Sequence, residues 1–91
     1  MKLRKEVQQF AEVMERKLRK HDAERGATWK DDSISQLMER LHEEVGELEG
    51  AVNGSHGFDC IASEAADVAN FAMFIQWIAA TWNKAERVTN S

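Results

Sequence analysis

The sequence predicts an all-α protein, a small antiparallel bundle of three main helices completed by homo-oligomerisation. Three observations carry that expectation. Proline is absent and helix-favouring residues dominate the 91 positions, so the strongest helix breaker never interrupts the chain. Apolar residues recur at spacings of three and four rather than in alternation, the period of one helical face and not of a strand. The stretch from Ile61 to Trp82 is apolar on nearly every face, more than so short a chain covers by itself. A chain of this length makes one domain, 1–91.

The first helix is expected over about residues 2–22, where Leu3, Val7, Phe10, Met14 and Leu18 form one apolar stripe. Arg16, Lys17, Arg19 and Lys20 crowd its end, where cations suit the negative pole of the helix dipole. Asp22 to Asp32 reads as a connection, with Gly26 as its breaker. The second helix is expected over 33–52. Ser33 and Gln36 fit a capping box, and Asp31 and Asp32 favour the positive pole. Its stripe is Ile34, Leu37, Met38, Leu41, Val45, Leu48 and Val52, with Glu44 at the edge and Glu47 further round the same flank. Gly46 costs about 1 kcal/mol against alanine in a helix, which suggests a close packing approach there. Asn53-Gly54-Ser55-His56-Gly57 is a loop, and the third helix is expected over 59–85.

Composition excludes several classes. A formal net charge of −4 argues against a nucleic-acid partner, which calls for a basic excess. Cys60 is the only cysteine, so no intrachain disulfide forms and a reducing cytoplasm is the expected setting. Met1-Lys2-Leu3-Arg4-Lys5 leads into an amphipathic pattern and not an apolar run, so no signal peptide is expected. Asn70 and Gln76 interrupt the apolar segment before it reaches the roughly 20 residues of a membrane span. No Gly-rich phosphate loop with Lys-Ser/Thr occurs, and His42-Glu43 lacks the second histidine of a zinc HExxH site because position 46 is glycine.

Glu64 and Asp67 are the informative residues of the third helix. Three apart, they share one face, and their own helix offers no nearby cation. A bare buried carboxylate costs several kcal/mol or protonates. Glu43, Glu44 and Glu47 form a second helix-spaced acidic set, which alone reads as a solvated face. The short loop makes helices two and three antiparallel neighbours, so both pairs lie within about two to three turns of the loop and can face each other. Oxygen-only ligands suit Mg²⁺, with Mn²⁺ as a substitute, rather than zinc.

Glu44-Val45-Gly46-Glu47-Leu48 followed by Glu64-Ala65-Ala66-Asp67-Val68 resembles the ExxE…ExxD signature of the MazG-like, all-α nucleoside triphosphate pyrophosphohydrolases. The likeness covers roughly the second and third helices. It departs at Ser63, where many relatives carry a further acid, and in the chain's brevity. The resemblance implies Glu44, Glu47, Glu64 and Asp67 as Mg²⁺ ligands, a nucleoside triphosphate as substrate, often a modified or surplus deoxynucleotide, and monophosphate plus pyrophosphate as products. It also implies a site assembled by oligomerisation, as a dimer or a dimer of dimers. Mg²⁺ chemistry is consistent with this, since the ion neutralises phosphate charge and lowers the pKa of bound water.

Glu43 then reads either as an outer-shell group or base, or as a surface glutamate. Asn70, one turn beyond Asp67, is a hydrogen-bonding residue for the substrate or a buried amide satisfied by a neighbouring helix. Trp29 stacks on a nucleobase or plugs the core beneath its loop. Lys30, Arg40, Lys84 and Arg87 are candidate phosphate contacts, while Phe71, Trp77 and Trp82 read as core or interface. Two rivals stand beside the enzyme: a non-catalytic helical oligomerisation or regulatory module whose acids pair with the basic end of the first helix, and a nucleic-acid binder using Arg16, Lys17, Arg19, Lys20 and Arg25 as a phosphate-tracking patch.

Overall fold

The computed structural model describes residues 1–89, and the side chains of residues 1–82. It is all-helical, with no strand among the described residues. Helix α1 spans Lys5–Arg25, a short 3₁₀ turn spans Thr28–Asp31, α2 spans Ile34–Asn53 and α3 spans Phe58–Thr89. The first helix therefore starts and ends three residues later than its apolar stripe suggests. Asp22, Ala23, Glu24 and Arg25 contain nothing that breaks a helix, and α1 runs on to Gly26, whose φ of 69° is a conformation that glycine takes without a Cβ penalty. The second begins as read. The Ser33 side chain accepts from the Gln36 amide while Gln36 accepts from the Ser33 amide, a complete capping box.

Helix α3 is the centre of the fold, and both α1 and α2 pack on it. The core is Leu37 of α2 with Phe74 and Ile78 of α3, flanked by Leu18, Phe71 and Trp29. Trp29 comes from the 3₁₀ turn and stacks on Phe74 at 4.2 Å between ring centroids. It is the plug beneath its loop rather than an open aromatic platform. No helix among the described residues is long and apolar enough to cross a membrane.

The single chain is not fully packed. Large apolar side chains stay uncovered among the described residues. The chain's radius of gyration is 15.2 Å, against about 12 Å for a compact chain of this length. The surplus apolar surface is not confined to the third helix. Leu3, just before α1, and Val7 and Phe10 on the N-terminal half of α1 are exposed, as are Trp77 and Trp82 on α3, Trp82 at 68%.

Gly46 does not mark a close approach within the chain. A Cβ built there meets nothing within 4 Å, so the expected packing reason is absent and the residue retains only its helix cost. Gly46→Ala should accordingly stabilise the protein by about 0.5–1 kcal/mol, raising Tm by a few degrees. A drop in Tm on thermal denaturation would place another surface against this part of α2.

Candidate metal centre

The site is built where α2 and α3 flank their connecting loop. The loop is tight: Gly57 takes φ 91°, and the His56 amide donates back to the Ala51 carbonyl. This turn sets α2 and α3 side by side. Glu44 and Glu47 are one turn apart on α2, and Glu64 comes from the first part of α3. One carboxylate oxygen from each of the three lies within 4.8 Å of the others. Sequence spacing thus brought together three of the four expected ligands.

Crowded acids at the edge of a core cannot all stay ionised. Glu44 is buried, and burial is the largest of the effects that push its carboxyl up to about 7. The Glu47 carboxyl, as hydrogen-bond partner and then as charge, adds to the rise, and so does Asp67, while Arg40 offsets part of it. Glu64 is also raised, first by burial and then by the charges of Asp67 and Glu47, with Lys17 opposing. The Glu64 Oε2 atom is buried without a hydrogen-bond partner. Three carboxylates brought this close could hold a hard divalent cation.

These shifts give a pH dependence. Glu44 binds its proton more tightly when folded than at its ordinary value of 4.5, so the native state holds more protons than the unfolded one between about 4.5 and about 7. Stability is therefore greatest below that window and falls as pH rises through it. In EDTA, Tm should drop by roughly 5–10 °C between pH 5 and pH 8. Glu44→Gln should flatten that slope, and thermal scans across the range check both. A metal-free Tm that rose with pH would contradict the burial-driven shift.

The fourth acid is engaged differently. Asp67 Oδ1 pairs with Lys17 Nζ of α1 at 2.9 Å. The same ammonium donates to the Ser63 carbonyl at 2.9 Å and to the Ser63 hydroxyl. The expectation that Glu64 and Asp67 lack a nearby cation holds for their own helix but not for the fold. Lys17 lies three residues beyond Met14 and seven beyond Phe10, on the face that α1 turns toward α3. That register was the signal that could have revealed it.

The remaining candidates separate. Glu43 is exposed and held by Arg40 at 3.2 Å, the arrangement of a surface glutamate, and Arg40 also lies 3.9 Å from Glu44 and over the Phe71 ring. Asn70 is buried. Its Nδ2 donates to the Met14 carbonyl at 3.3 Å, but its Oδ1 has no partner. Asn70, Lys17, His21 and Asp67 line a small cavity of about 50 Å³ between α1 and α3, where the buried His21 Nδ1 is also unpaired. Sequence reading passed over His21. Lys30 sits over the Trp29 and Trp77 rings at 5.7 and 5.3 Å. Phe74, on which Trp29 stacks, is about 10 Å along α3 from Asp67, so the Trp29–Lys30 pair caps the core rather than the acids. The Lys84 and Arg87 side chains fall outside the described residues.

No family model, curated protein or solved structure matches this chain.

Proposed function

We propose that the chain is a Mg²⁺-dependent nucleoside triphosphate pyrophosphohydrolase, cleaving a (deoxy)nucleoside triphosphate to monophosphate and pyrophosphate in nucleotide-pool house-cleaning. The observation that carries the reading is the convergence of Glu44, Glu47 and Glu64 oxygens within 4.8 Å, with Glu64 Oε2 buried and unpartnered. Such a set is what a hard dication needs and what a purely structural core avoids. Mn²⁺ would substitute. When bound, Mg²⁺ would supply charge neutralisation of the phosphates and acidify water near neutral pH.

The chain's own residues supply the rest. Glu47 bridges the two other glutamates electrostatically, raising both, so its charge is central to the cluster. Glu44, raised to about 7, holds a proton near neutrality that a cation must displace. Asn70 Oδ1 is an unpaired acceptor beside Asp67, buried at a cavity of about 50 Å³, which has room for a water and not for a sugar or base.

The Lys17–Asp67 pair favours one rival, a helical oligomerisation module whose acids are neutralised by the end of α1. A panel of ribo- and deoxyribonucleoside triphosphates, each with Mg²⁺ and with EDTA, separates the two. The enzyme releases pyrophosphate from at least one of them only when Mg²⁺ is present. Silence across the panel would leave the module.

A further inference from the structure

We propose that Lys17 is an internal competitor for the metal centre: its ammonium on Asp67 Oδ1 supplies the positive charge that a divalent cation would otherwise bring to the acids, and so weakens metal binding. The proposal rests on the metal reading of the acidic cluster. An ammonium has three N–H donors, and those of Lys17 have three acceptors: Asp67 Oδ1, the Ser63 carbonyl and the Ser63 hydroxyl. Both members of the ion pair are mostly buried, with side-chain exposures of 26% and 30%. This is a seated cation rather than a solvated one that brushes an acid.

Two further observations point the same way. The oxygens that converge within 4.8 Å belong to Glu44, Glu47 and Glu64, while one oxygen of Asp67, Oδ1, is held by Lys17. The three glutamates are thus arranged for a cation, and the fourth acid is partly committed elsewhere. Lys17 also comes from α1 and not from the α2–α3 pair that builds the cluster. Its departure requires a side-chain movement at the α1–α3 contact and no change in the arrangement of the glutamates. A dication held by the glutamates and Asp67 would be repelled by the ammonium that sits 2.9 Å from Asp67 Oδ1, so the Lys17 charge opposes metal binding.

Removing the Lys17 charge should therefore tighten metal binding. Mn²⁺ titrated calorimetrically into the full chain at pH 7.5 should bind Lys17→Met about tenfold more tightly than wild type. Lys17→Gln should move the same way and serves if the methionine variant fails to fold. Lys17→Arg, which keeps the charge, should stay near the wild-type affinity. The metal-free Lys17→Met protein should also lose thermal stability and regain more of it than wild type on adding Mn²⁺. A merely structural Lys17 would lower Tm with Mn²⁺ affinity unchanged or weakened, and that result overturns the proposal while leaving the metal centre standing. If neither wild type nor the Lys17 variants bind Mn²⁺, both the proposal and the reading beneath it fall.

Discussion

Replacing Glu47 by glutamine is expected to lower pyrophosphate release at least about a hundredfold while leaving helical content unchanged. Glu47 stands between the two other glutamates, and it contributes to the raised pKa of each. The amide keeps the shape of the side chain but removes a negative oxygen, so a dication loses a ligand and the fold loses only repulsion. The metal-free variant should be as stable as wild type or slightly more so. Asp67→Asn should reduce turnover as well, but with a different signature, because the substitution also removes the partner of Lys17 and so should cost some stability. Steady-state turnover at saturating Mg²⁺, together with far-UV circular dichroism, checks both. Near-normal turnover in Glu47→Gln would show that the glutamate cluster is not the reaction centre.

The second large effect concerns assembly. At low micromolar concentration the protein is expected to sediment as a dimer or larger. Its chain leaves large apolar side chains uncovered on two helices, a surface that monomers seldom show. The uncovered apolar residues include Val7 and Phe10 on α1 and Trp77 and Trp82 on α3. Ile78 is a poor probe of this surface because it is buried in the chain's own core, and a charge there would unfold the protein for reasons unrelated to association. Phe10→Asp and Trp82→Arg are the informative substitutions. Both positions are exposed in the single chain, so neither change disturbs the chain's own core. Where the residue lies in a contact, association should weaken about a hundredfold. A well-folded wild-type monomer at that concentration would refute the expectation of an obligate oligomer.

The features that were legible in the sequence are the local ones. Ser33 and Gln36 gave the start of α2 because a capping box is written within four residues. Gly26 reads as a breaker within a connection from Asp22, whereas α1 runs on to Arg25 and Gly26 caps it. Glu44, Glu47 and Glu64 were readable as convergent because helical period and a short loop together fix where they face. What was not legible is decided by packing between distant segments. The seating of Lys17 on Asp67 and Ser63 depends on how α1 rotates against α3, and periodicity alone left Lys17 in the basic run at the end of the helix. Gly46 failed for a related reason: a helical glycine signals a close neighbour only if some other element passes there, and none within the chain does. Trp29 had two readings until its ring was placed against Phe74.

The measurement that bears most directly on the central claim is product analysis of a single triphosphate turned over with Mg²⁺, run beside the Glu47→Gln protein. The account predicts nucleoside monophosphate and pyrophosphate in equal amounts from wild type, with both nearly absent from the variant. Nucleoside diphosphate and orthophosphate from wild type, or equal product from the variant, would contradict it.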